Sequence, residues 1–70
     1  MDKQKIKNTI IAQGVKNLKE YGYPTADKDS ILTDIIYAAF FRSMLEDNKG
    51  KGNKETDEVI DELLSILPEE

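Results

Sequence analysis

An all-α fold of three main helices is predicted by three features of this sequence. Apolar residues recur at helical spacing in three separate stretches. Turn-forming residues (Gly22 and Pro24, then Gly50 and Gly52) separate those stretches. No segment alternates apolar and polar residues as a half-buried strand does. The helices are expected at about 2–21, 34–48 and 54–67, with a short helical turn near 26–31. Together they form a small bundle, with residues 1–70 as one domain.

The first helix carries Ile6, Ile10, Ile11, Val15, Leu18 and Tyr21 on one stripe and lysines 3, 5, 7, 16 and 19 over much of the rest. Gly14 sits within the apolar stripe, where it costs roughly 1 kcal/mol of helix propensity relative to Ala. Two explanations stand side by side: close approach of another helix, or a simple weak spot. Gly22 suits the left-handed residue after a helix end, and Pro24 cannot continue the helix. Lys19 suits the negative end of the helix dipole.

Between residues 25 and 34, Thr25 is expected to cap the short turn and Thr33 the second main helix, with Asp34 in its first turn. The alternative is one longer helix capped by Asp29 or Ser30. The second main helix contains Ile35, Ile36, Tyr37, Ala38, Ala39, Phe40, Phe41, Met44 and Leu45. These cover more than the ~100° stripe of an ordinary surface helix. Two neighbours shield two sides, so a third side is left apolar, and such a surface often marks an interface. Ile36, Phe40 and Met44 are assigned to the core. One of Tyr37 or Phe41, near Arg42, is expected at the surface.

The stretch 48–53 is polar and glycine-containing and reads as a mobile loop. Its Gly50-Lys51-Gly52 lacks the GxxxxGK[ST] pattern and a preceding strand, so phosphate binding is not indicated. Asn53 is expected to cap the last helix, with Glu55, Asp57 and Glu58 in its first turns. Val59, Ile60, Leu63, Leu64 and Leu67 form its apolar stripe, Ile66 falls off it, and Pro68 stops it.

Composition narrows the chemistry. The chain has no Cys and no His, so disulfides, thiolate ligands and imidazole bases are absent. Ser30, Ser43 and Ser65 lack a His partner, and the carboxylates lack an evident cleft. Asp27-Lys28-Asp29 begins an EF-hand-like pattern that fails at Ile31 and Leu32. We expect no catalytic activity, cofactor, metal or small-molecule substrate. The longest apolar run, residues 35–41, is far short of a membrane span. The N-terminal segment has no signal-like apolar region. A soluble, cytoplasmic protein is expected.

Net charge is −4, with +3 over residues 1–22, −3 over 23–48 and −4 over 49–70. Such polarity either steers a charged partner or pairs the chain's own ends. A core this short rarely supplies more than ~3–5 kcal/mol of net stability, which leaves self-association or partner binding as a further stabilising route.

The segments Tyr21-Gly22-Tyr23-Pro24, Ile31-Leu32-Thr33-Asp34 and Tyr37-Ala38-Ala39-Phe40-Phe41-Arg42-Ser43-Met44-Leu45-Glu46-Asp47-Asn48 resemble a group of short bacterial and phage-associated proteins. The resemblance implies a compact helical accessory protein of the kind carried on mobile elements, and it assigns no activity. The expected function is a non-enzymatic protein-interaction module, a regulator or inhibitor, acting as a homodimer or on a protein partner. Tyr23, Tyr37, Phe41, Arg42 and Leu45 are the candidate interface. Two alternatives remain. One is nucleic-acid association through Lys3, Lys5, Lys7, Lys16 and Lys19. The other is a structural subunit of a larger assembly.

Overall fold

In a computed structural model, which describes residues 2–68, the chain forms four helices: α1 (Lys3–Glu20), α2 (Ser30–Thr33), α3 (Ile35–Asn48) and α4 (Lys54–Ile66). Among the described residues there is no strand. The expected all-α bundle is therefore the observed architecture, with the short turn shifted from 26–31 to 30–33.

Each helix boundary has a local cause. Asp2 caps α1 by accepting from the Gln4 N–H at 2.9 Å. At the other end, Gly22 takes φ 104°, a conformation open to glycine at little cost. The Tyr23 N–H reaches the Leu18 carbonyl at 3.0 Å, and the Gly22 N–H reaches that of Lys19 at 3.2 Å. This Schellman pairing satisfies carbonyls that the helix end leaves open. It also turns the chain so that Tyr21 and Tyr23 flank the corner.

The caps near residues 25–34 differ from expectation. Thr25 caps nothing: its hydroxyl lies 3.1 Å from the Tyr37 hydroxyl. Asp27 instead accepts from the N–H groups of Asp29 and Ser30 at 3.0 and 2.7 Å. The Ser30 Oγ in turn accepts from the Asp27 N–H at 2.8 Å. This reciprocal box starts the turn two residues later than Thr25 would have. Thr33 is also not the cap of α3. Its hydroxyl donates back to the Asp29 carbonyl at 2.8 Å. Asp34, in extended backbone, caps α3 by accepting from Ile36 and Tyr37 N–H groups at 2.9 and 3.2 Å. Asn53 caps α4 as expected, accepting from the Thr56 N–H at 2.8 Å.

Helix directions follow from side-chain pairs. Lys3 pairs with Glu58 and Lys7 with Glu62, so α1 and α4 advance together. Arg42 reaches the end of α4, while Lys49 reaches Asp61 at 2.6 Å. α3 therefore runs against both. The loop between α3 and α4 is tied to α4 by Lys49 and by the Gly50 N–H, which donates to Asp57 at 3.0 Å.

The core is Leu18, Ala26, Ile31, Ala38, Phe41, Leu45, Val59, Ile60, Leu63 and Leu67. Burying each of its Leu, Ile, Val and Phe side chains contributes ~1.5–3 kcal/mol before ordering costs are subtracted. Gly14 lies at its centre. A Cβ there would stand 2.7 Å from two Phe41 ring carbons and 3.3 Å from Ile31 Cδ1. Close approach, and not a weak spot, explains this glycine. The Cα radius of gyration is 11.4 Å, near the ~11 Å expected for a folded chain of this length.

The register of α3 corrects a core assignment. Ala38, Phe41 and Leu45 face inward, whereas Ile36 and Phe40 are 62% and 42% exposed. Met44 alone of the expected trio packs against the core, partly buried.

Candidate functional site: the outward face of α3

With Ala38, Phe41 and Leu45 inward, the opposite side of α3 carries Ile36, Ala39, Phe40, Ser43 and Asp47, since each residue advances ~100° around the axis. All five are exposed. Ile35, at the helix start, is 47% exposed. Tyr21, from the end of α1, extends this surface. Its ring lies 6.5 Å from that of Phe40 at an interplanar angle of 27°. Tyr23 stands 5.4 Å from Phe40 and edge-on to Tyr37 at 5.5 Å. Beside Phe40, the junction of α1 and α3 opens a shallow groove walled by Asn17, Tyr21, Ser43, Met44 and Asp47.

The four rings form a cluster because the Schellman turn places Tyr23 against α3. Pairs in this geometry contribute roughly 0.5–1.5 kcal/mol beyond area burial, which holds Phe40 and Tyr21 in place while leaving them open to solvent. Tyr21 is 74% exposed. A contiguous group of large apolar side chains held out to water is the feature that distinguishes a docking surface from scattered surface hydrophobes.

Of the residues expected at an interface, the structure separates three kinds. Phe41 and Leu45 are 1% exposed and belong to the core, so they are unavailable to a partner of the folded chain. The Phe41 ring packs against Gly14, where an added Cβ would stand 2.7 Å from two of its carbons. Arg42 is partly buried and donates to the Leu67 and Pro68 carbonyls at 3.4 and 3.3 Å, where it closes the end of α4. Tyr23 and Tyr37 are half-buried members of the ring cluster and do border the exposed face. Ile36 and Phe40, expected in the core, are surface residues. Their signal was present: Ser43 and Asp47 share their side of the helix, and polar residues at those positions mark the outward direction.

The lysines of α1 do not form one patch. Lys3 and Lys7 face α4 and pair with Glu58 and Glu62. The Glu58 carboxylate holds the Lys3 amine above its ordinary pKa of 10.5, and Lys3 holds Glu58 below 4.5. Lys49 is likewise raised by Asp61. Lys5, Lys16 and Lys19 lie on the other side of α1, spread along its length. Phosphate binding needs clustered positive charge, and here the basic residues divide between two faces.

Among the described residues, no group of three or more acidic side chains is placed to hold a metal ion. No helix among them is long and apolar enough to cross a membrane. Comparison with protein-family models, with curated proteins and with solved structures finds no match to this chain.

Proposed function

We propose that this protein is a non-enzymatic interaction module that binds another protein through the outward face of α3. The observation that carries this reading is the exposure of Ile36, Phe40 and Tyr21 on one continuous surface, while a complete core exists beneath it. Aromatic and aliphatic anchors of this kind dominate the energetics of protein interfaces. The core is closed by the chain itself, so the exposed face is left over for association.

The test is comparative co-purification. The wild-type chain, an Ile36→Ser/Phe40→Ser variant and an Ile66→Ser control are used to retain partners from the native source. Ile66 is a useful control because it is 51% exposed on a different helix. Helicity by circular dichroism is expected to match in all three. A partner retained by the wild type and the control but lost from the double variant supports the reading. Identical retention by all three contradicts it.

A further inference from the structure

We infer that the occupant of the α3 face is a second copy of this chain, packed antiparallel about a two-fold axis near Phe40 and Ser43, an inference that rests on reading that face as a docking surface. A two-fold contact sets one patch against itself, so a projecting group must meet a recess in the same patch. The α3 face has both. Phe40 projects, 42% exposed. Beside it lies the recess of about 270 Å³ at the α1–α3 junction, floored by Leu18 and Phe41 and walled by Tyr21, Ser43 and Met44. An axis between Phe40 and Ser43 puts each Phe40 at the other copy's recess. A knob and a hole on different faces would build an open chain of copies, whereas side by side they close as a pair. Ala39 and Ser43 share this side of α3, and side chains so small let two helices approach closely.

The area on offer is enough for a dimer. Tyr21, Ile36, Ile35 and Phe40 are 74%, 62%, 47% and 42% exposed. At ~200 Å² for a large side chain, they leave roughly 450 Å² of apolar surface open on each copy. Two copies supply twice that, and with homodimer interfaces about 65% apolar the whole contact comes to roughly 1,400 Å². Specific, stable interfaces bury ~1,200–2,000 Å², so the pair falls toward the lower end of that class and is expected to be reversible.

The acid on the strip selects the orientation. With the two α3 helices parallel, Asp47 meets its own copy, and opposed like charges are unfavourable. With them antiparallel about this axis, the two Asp47 residues stand roughly 16 Å apart along the helices. That is beyond the Debye length of ~8 Å at physiological salt.

Sedimentation equilibrium of the full chain from micromolar to millimolar concentration tests the inference, with Ile36→Ser/Phe40→Ser and the Ile66→Ser control beside it and helicity checked by circular dichroism. The wild type and the control are expected to pass from monomer to dimer. The double variant is expected to need a concentration roughly tenfold higher or more. Added salt is expected not to weaken the dimer, because each copy carries a net charge of −4 and screening relieves their repulsion. The chain has no Cys, so Ser43→Cys and Asp47→Cys each introduce a single thiol. Under oxidised glutathione, Ser43→Cys is expected to cross-link to its own copy and Asp47→Cys is not, since a disulfide needs Cα atoms within ~7 Å. Cross-linking of Asp47→Cys in preference to Ser43→Cys overturns the antiparallel arrangement. A dimer unchanged by the double variant overturns the inference by placing the contact elsewhere. A chain that stays monomeric, while co-purification still yields a different protein lost from the double variant, overturns the second copy and leaves the docking surface standing. A monomer with no partner that depends on this face overturns both.

Discussion

At the scale of single residues, Gly14 decides how the bundle closes. Its missing Cβ is the space into which the Phe41 ring packs. Alanine at this position gains roughly 1 kcal/mol of helix propensity but forces a ring that is 1% exposed to move, and overpacking of this kind costs about 1–3 kcal/mol. The ring is walled in and has nowhere to go, so Gly14→Ala is expected to be net destabilising by about 1 kcal/mol. Urea denaturation checks this; a variant as stable as the wild type contradicts the packing described. The sequence placed Gly14 on the apolar stripe and offered close approach as one of two readings. It did not name the partner, since a glycine records that space is occupied and not by what. The same ambiguity led Phe40 to be placed inside and Phe41 to be considered for the surface. Both are Phe, they are adjacent, and apolar neighbours flank each. Only Ser43 and Asp47, aligned with Ile36 and Phe40, distinguish the two faces.

At the scale of elements, helices were legible where their ends carry strong chemical signals. Gly22 with Pro24, Asn53 and Pro68 fixed their boundaries closely. The region 25–34 was less so, because it holds three residues of capping type in each half and the sequence does not rank them. The structure selects Asp27 and Asp34, whose carboxylates each accept two backbone N–H groups. The Ser30 N–H bonded to Asp27 holds its carboxyl below the ordinary 3.8. A carboxyl lowered on folding stabilises the fold fully above its unfolded pKa, and that contribution is lost as the pH falls through the folded value. Asp27→Ala is therefore expected to lower the melting temperature at pH 7, with the gap to wild type narrowing toward about pH 3 and below. Thermal melts across that range check it. A gap independent of pH places the effect in something other than the ionised cap.

At the scale of the whole molecule, the sequence indicated that α3 has more apolar surface than two neighbours can cover, and the exposure of Ile35, Ile36 and Phe40 agrees with that count. The face left open was a different one from the candidate set, because Phe41, Leu45 and Arg42 are all consumed in closing the bundle. The result is a chain with two unlike sides. One joins α1 to α4 through ion pairs; the other exposes rings and isoleucines. Side-chain footprinting by hydroxyl radicals, on the free chain and on its complex with the co-purified partner, tests this division most directly. In the free chain Tyr21, Ile36 and Phe40 are expected to react while Phe41 does not. In the complex the first three are expected to be protected, with Ile66 unchanged. Protection of Ile66 with continued reaction at Tyr21, Ile36 and Phe40 contradicts the assignment of α3 as the binding face.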